Sequence, residues 1–496
     1  MKGLRSILLF LVGCAAFGVC NAQDVTIVYD GAGVKVRQSV KDSVSVTADG
    51  AIVNVESTYR SHKLTMLVKG RSDNGQLVLK SRGKVKVTLG GLDLTSQEGA
   101  VLHLKNRKKV EIVAAKGTEN TLTITACKDT ANHKAACIWA KDKLQFSGKG
   151  VLNVIATGDG CRGIKSKKDI TLNDLTLNVT TSGNNLGEKA FGPPAGFTGG
   201  PQGMPPFQQG ERPEFNGERP AFPGNFPPFP GGKPDFGGKR DSIGKPDFPQ
   251  MPEGGGFGGK HKYVAPTKGI ASKRMITVNS GNITVRTSTA GAEGIEAKKG
   301  MVFNGGNVYV LAKDDAINAD SCILFNGANV TAISTGNDAV DSNPKTGAFS
   351  PFGSNEQSNE PAIVIRGGTV YAWSQVGSPE EGLDCDFAAL VIEGGKVFSV
   401  GGGMGDMPSV PTSQTAVQPT VLLSGIGIVK DEPVLIYDAD DKLLDSITVP
   451  FSLRRSFSIL SSPCFKPGNT YTVKTKDYRK SFTFKENFTK VLLNIL

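Results

Sequence analysis

Apolar residues return along this chain at fixed offsets from a small leading residue, Gly or Ala. One position after it stand Ile164, Ile270, Ile295, Ile317, Val340 and Leu383. Seven and nine after it stand Ile170 and Leu172, Ile276 and Val278, Met301 and Phe303, Ile323 and Phe325. Fourteen and sixteen after it come Leu177 and Val179, Ile283 and Val285, Val308 and Val310, Val330 and Ala332. A spacing of two within each group, rich in β-branched residues, predicts strands that bury one face. A unit of roughly 22 to 25 residues holding three such strands has no core alone and must stack on its neighbours. The predicted fold is all-β: a right-handed parallel β-helix, a solenoid, followed by a small C-terminal β domain.

Ten positions after the leading residue stand Asn173, Asn279, Asn304 and Asn326. Asn accepts the left-handed backbone of a tight turn, and stacked amides can hydrogen-bond between coils, so these residues read as scaffold.

Two segments interrupt the repeat. Residues 184–266 turn to Gly, Pro, Phe and Gln, as in Phe222-Pro223-Gly224-Asn225-Phe226, a composition that cannot pack a core and predicts a disordered insertion. A shorter Ser/Pro/Asn insertion covers 343–361. The solenoid is expected over 23–415. Alternating runs such as Val434-Leu435-Ile436-Tyr437 predict the separate β-rich unit over 416–496, whose place is at the open edge of the solenoid.

The N-terminus carries Lys2 and Arg5, an apolar run from Ile7 to Val19, then Cys20-Asn21-Ala22. This predicts a signal peptide over 1–22 and an exported protein, periplasmic, surface-bound or secreted. The lipobox-like Leu11-Val12-Gly13-Cys14 offers an alternative, a lipoprotein anchored at Cys14. No later stretch is long and apolar enough for a transmembrane segment. The 496 residues include 62 Gly, 8 Cys and only 4 His. Cysteine spacing shows no framework, and the disulfide state of Cys127, Cys137 and Cys161 stays open. With no Cys-x-x-Cys and no paired His, zinc and haem sites are not expected.

Lys116-Gly117-Thr118-Glu119-Asn120-Thr121-Leu122-Thr123, Lys134-Ala135-Ala136 ahead of Ile138, Gly163-Ile164-Lys165-Ser166-Lys167-Lys168-Asp169-Ile170 and the Asn-Gly-Gly turns carry a resemblance. From about Ile27 to Gly403 the chain resembles the carbohydrate-binding-domain family of secreted parallel β-helix proteins, known from a cellulose-degrading clostridium and similar in fold to family 9 pectate lyases. The resemblance implies calcium binding and affinity for acidic plant polysaccharides such as polygalacturonate.

The residues themselves place the chemistry around the leading position, at what the pattern reads as a turn. Just before it come Arg162, Lys268, Glu293, Asp315, Asp338 and Glu381; two after it, Lys165, Glu296, Asn318, Asp341 and Asp384; four after it, Lys167, Lys273, Lys298, Asp320 and Asp386. One edge is thus basic in early coils and acidic in late ones. Adjacent coils lie about 4.8 Å apart, so stacked carboxylates repel by roughly 1 kcal/mol per neighbour even in water. Calcium suits such oxygen-only sites, and the expected ligands are Glu293, Glu296, Asp315, Asn318, Asp320, Asp338, Asp341, Glu381, Asp384 and Asp386.

A net charge of +11 in an exported protein favours an anionic partner. Export and the lack of any known motif argue against nucleic acid. An acidic polysaccharide fits, held by Arg162, Lys165, Lys167, Lys268 and Lys273, with Tyr309, Tyr371 and Trp373 as stacking surfaces. Nothing forms a nucleophile–base pair, so binding without catalysis is expected. Two alternatives stay open: a pectate-type lyase with Lys298 or Lys299 as base, and a structural adhesin.

Overall fold

The computed structural model describes residues 23–128, 135–189, 262–344, 360–386, 388–403 and 407–492. The expected signal peptide, Cys14 and the body of each insertion lie outside the described residues. Within them every regular element is a strand, and no helix is long and apolar enough to cross a membrane. One sheet has 23 strands and a second has 11.

Each repeat sends one strand into each of three parallel ladders. The first runs through Ala136–Ala140, Arg162–Ser166, Lys268–Ser272, Glu293–Ala297, Ile317–Ala319, Val340–Ser342 and Leu383–Asp384. A second runs through Leu144–Gly148, Ile170–Leu172, Met275–Val278, Gly300–Phe303 and Ile323–Phe325. The third runs through Val151–Ala156, Thr176–Thr181, Asn282–Thr287, Asn307–Ala312, Asn329–Ser334 and Thr369–Ser374. Equivalent apolar residues pair in register, Ile164 with Ile270 and Ile295 with Ile317, so each coil buries its inner face on the next.

The alternation of leading residues has a packing cause. A Cβ on Gly163, Gly269 or Gly294 would lie 2.3 Å from Cγ1 of Val179, Val285 or Val310. In the next coils the valine's register position is filled by Ala332 and then Ala372, and there the leading residue is Ala316 or Ala339. Volume lost on one strand is regained on the other, as close packing requires.

Asparagine amides form the expected ladder: Asn279 Nδ2 donates to Asn173 Oδ1 at 2.8 Å, Asn304 to Asn279 at 2.8 Å and Asn326 to Asn304 at 2.7 Å. The left-handed backbone falls further along each turn, on Asp174 (φ 51°), Gly281 and Gly306. Strands on either side of residues 184–266 stack directly, Leu177 on Ile283, and Leu186–Lys189 pairs antiparallel with Lys262–Ala265 at the base of that segment.

After Lys396–Gly401 the direction changes. That strand pairs antiparallel with Leu453–Ser461, which pairs with Thr420–Ile428, while four further strands form a separate antiparallel sheet. The apolar faces of this region meet Ile333, Trp373, Phe398 and Val400 in one cluster.

Candidate functional site

The charged residues of the repeat lie on the strands of the first ladder, where a turn was expected. Three columns cross it. One reads Arg162, Lys268, Glu293, then Asp315, Asp338 and Glu381, the last three linked through backbone bonds to the leading residues of the preceding coils. The second reads His103, Trp139, Lys165, Ala271, Glu296, Asn318, Asp341 and Asp384. In the third, backbone bonds bring Lys105, Lys141, Lys167, Lys273, Lys298 and Asp320 into sequence. Inner positions are apolar, so alternation turns these side chains outward. They are nevertheless buried along Arg162–Ser166 and Lys268–Ser272, because long side chains stacked one coil apart cover one another.

The sign of charge changes at Lys268. Its Nζ lies 2.8 Å from Glu293 Oε2 and 2.8 Å from Glu296 Oε1, and Lys298 Nζ holds Glu296 at 2.6 Å and Asp320 at 3.0 Å. Burial raises Glu293 to about 7 despite its lysine partner, whereas the two ammonium groups outweigh burial at Glu296 and hold it near 2. Lys298 keeps its proton far above neutrality. Lys165 behaves oppositely: burial, reinforced by Arg162 and Lys273, pushes its amine down to about 7.

Beyond this junction the carboxylates gather. Asp315, Asp338 and Asp341 each offer an oxygen within 4.8 Å of the others, and the three are 1%, 5% and 0% exposed. Asn318 Nδ2 donates to Asp315 Oδ2 and to Asp341 Oδ2, both at 2.7 Å, and Asn343 Nδ2 donates to both oxygens of Asp341 at 2.8 Å. The Glu381 N–H donates to Asp338 Oδ1 at 2.6 Å, and the Ser409 N–H to Glu381 Oε2 at 2.7 Å. Burial, then repulsion from Asp384 and Asp341, raises the Asp338 carboxyl well above its ordinary range; burial and Asp384 do the same to Glu381. Such a cluster either keeps protons or takes a cation, and its all-oxygen donor set fits calcium.

The ten expected metal ligands therefore divide. Asp315, Asp338 and Asp341 come together, Asn318 bridges two of them, and Glu381 and Asp384 flank the group. Glu293, Glu296 and Asp320 hold lysines instead, because Lys268 and Lys298 reach them from neighbouring positions on the same face. Asp386 is exposed, and its N–H donates to Asp384 Oδ1. Ser409 escaped sequence reasoning because it stands outside the repeat, and Asn343, four after the leading Ala339, was not among the expected ligands.

The other expectations need correction too. Lys268 is not open to a sugar, being enclosed by two carboxylates. Lys298 is held protonated by Glu296 and Asp320, which removes it as a base, while Lys299 is exposed. Tyr309, Tyr371 and Trp373 sit on the third ladder, away from the charged columns. Trp373 is 5% exposed, donates Nε1–H to Phe398 O at 3.1 Å and packs with Val421, Leu423 and Ile426. Tyr309 and Tyr371 pack against the same cluster, so these aromatics seat the C-terminal strands.

Stacked parallel strands, one face of which carries charge that is basic in the early coils and acidic in the late ones, place the chain in the all-β class. Within it, this chain belongs to the family of carbohydrate-binding domain-containing proteins, which matches residues 44–190, 257–341 and 291–437. A carbohydrate-binding domain-containing protein of Acetivibrio thermocellus is 26% identical over 182 residues, 34% of this chain; the match spans 60% of that relative's length. Among solved structures, a gadolinium derivative of a polysaccharide lyase-like protein from C. thermocellum aligns with 64% of this chain and 94% of its own, at 17% identity and a TM-score of 0.39.

Proposed function

We propose that this protein is exported and binds an acidic, polygalacturonate-like polysaccharide through calcium, without catalysis. The three ladders are read as the coils of a right-handed parallel β-helix, with the C-terminal strands covering its last coil. The observation that carries the binding reading is the buried Asp315–Asp338–Asp341 cluster beside a basic stretch of the same face. Calcium would supply there a bridge between protein and sugar carboxylates. The three aspartates would hold it, Asn318 and Asn343 orient Asp341, and Ser409 orients Glu381. Arg162 and Lys165, one strand earlier than Lys268 and Ala271, would meet uronate groups directly.

One observation favours a second reading, a lyase. Lys165, with its amine lowered to about 7, is suited to take the proton α to a uronate carboxylate, and Arg162 to neutralise the charge that develops.

A calorimetric titration with polygalacturonate, with calcium and with chelator, tests both readings when ultraviolet absorbance is followed alongside. The expected result is binding that weakens at least tenfold on chelation, and also in Asp338→Asn/Asp341→Asn, with no unsaturated product and little binding of methyl-esterified pectin. Equal binding of the esterified polymer overturns charge recognition. Growth of absorbance that Lys165→Met abolishes replaces the binding reading with the lyase.

A further inference from the structure

Upstream of the junction the face carries a feature that the calcium cluster does not use. Lys80 pairs with Glu56, but Lys105, Lys141, Lys167 and Lys273 follow it along one column with no carboxylate partner among the described residues. Arg82 and Arg107 stand beside them, also without an acidic partner and stacked through the Arg107 N–H to Ser81 O bond. Lys80, Lys105, Lys141, Lys167, Arg82 and Arg107 border a cleft of about 520 Å³ whose wall also includes Glu56, His103 and Trp139, while Lys273 lies beyond it. The volume lies in the range of small-ligand sites.

Two independent observations point to a ligand. Like charges stacked one coil apart oppose each other, and the opposition is relieved when a polyanion lies along them. The Trp139 ring, 4% exposed, lines the same cleft, and its Nε1–H is buried with no acceptor. His103 meets that ring edge-on at 4.9 Å and Lys167 stands 5.7 Å from its centroid, so the indole is fixed in place. A buried N–H is ordinarily paired, and a ligand oxygen at the floor of the cleft supplies the missing acceptor. Arg82 and Arg107 present forked donors that match planar or tetrahedral oxyanions.

We infer that this cleft is a second, calcium-independent site for an anionic polysaccharide, whose uronate or sulfate groups Arg82, Arg107, Lys105 and Lys141 hold directly. The inference rests on the glycan-binding reading and extends it to a different stretch of the face. Trp139 and Asn318 are four strand spacings apart in one column, roughly 19 Å. One extended chain of sugars crosses from the basic cleft to the acidic cluster.

The test uses the full chain in chelator, titrated with dextran sulfate, which carries sulfate only, and with polygalacturonate, which carries carboxylate only. Calorimetry reads binding, and Trp139 emission reads the cleft in a Trp373→Phe background, since the chain has 2 Trp. At least one polymer should bind and shift the emission, and the one that does names the group. Arg82→Gln/Arg107→Gln should weaken that binding at least tenfold while keeping the rise in Tm that calcium gives the parent. Lys105→Glu/Lys141→Glu repeats the test with different exposed residues. Neither polymer binding in chelator, or both variants binding like the parent, overturns the cleft. Polygalacturonate binding seen only with calcium, together with no binding of dextran sulfate in chelator, refutes the cleft and spares the calcium site; binding in chelator that calcium does not improve does the reverse.

Discussion

Replacing Lys268 by Met tests the electrostatics of the face at its most enclosed point. The ammonium sits 2.8 Å from two carboxylates, and the three side chains are only 10%, 16% and 10% exposed. Removing one partner of a buried pair costs about 3–5 kcal/mol, because the remaining charge stays buried without compensation. The residual repulsion gives a similar figure. Glu293 and Glu296 both reach Lys268 Nζ at 2.8 Å, so their oxygens lie no more than about 5.6 Å apart, and two charges at that separation repel by about 3 kcal/mol at an effective dielectric near 20. Lys298 still holds Glu296, which places the expected loss at about 3 kcal/mol at pH 8.5.

Acid should shrink that loss. Glu293 has a folded pKa of about 7 against an ordinary 4.5, so the folded chain binds the extra proton and stability falls as pH rises from 4.5 through 7. Losing Lys268 raises that pKa further, and below it Glu293 is neutral and the repulsion disappears. Urea midpoints of parent and variant should therefore differ by about 3 kcal/mol at pH 8.5 and by about 1 kcal/mol at pH 5.5. Stacked repeats can unfold in stages, so circular dichroism and fluorescence must give coincident transitions. Adding Glu293→Gln should recover about 2 kcal/mol at the higher pH. A loss below about 1 kcal/mol at pH 8.5, or one equal at both pH values, would show that the triad is hydrated and that burial does not govern this face.

Two further outcomes are expected. As pH rises from about 6 to 8.5, uronate binding in chelator should weaken as Lys165 loses its proton; calcium affinity should rise with pH, because burial and neighbouring carboxylates hold Asp338 and Glu381 protonated above the ordinary carboxylate range, and slopes of the same sign in the two titrations would contradict the assignment. Replacing residues 190–261 by a two-residue turn should leave Tm within about 2 °C, because Lys189 and Lys262 already pair across the gap, and loss of soluble protein would show a structural role.

Most of the ladder register was legible because one column of Ile or Val per strand is enough to align coils, and Ile164, Ile270, Ile295 and Ile317 do stack in register. The columns of Lys165, Glu296, Asn318 and Asp341 followed from the same count. What the pattern could not reveal was burial on the outer side. Alternation marks the core face but is silent about what side chains on the other face do to one another, so Lys268 read as a sugar contact when it is an internal counter-ion. Tyr371 and Trp373 misled for a related reason: an outward aromatic looks the same in sequence whether it meets solvent or later strands such as Thr420–Ile428. Ser409 and the arginines Arg82 and Arg107 lie where the leading-residue motif is absent.

The order of charge along the face has a physical logic that neither end explains alone. A column of like charges one coil apart is self-opposing, and it can persist only with partners of the other sign. At the junction the chain supplies its own, with Lys268 and Lys298 answering Glu293, Glu296 and Asp320. On the basic side, Lys105, Lys141, Lys167 and Lys273 have no such answer among the described residues, and on the acidic side amide and backbone donors meet the Asp315–Asp338–Asp341 group. On the proposed reading an anionic polymer would answer the first and a divalent cation the second, and a cation left with open positions would attract the same polymer. Two segments of opposite charge thereby become compatible with one ligand of a single sign. The neutralised junction between them keeps each from discharging the other, since every carboxylate that Lys268 and Lys298 satisfy is one that does not draw the ammonium groups further up the column.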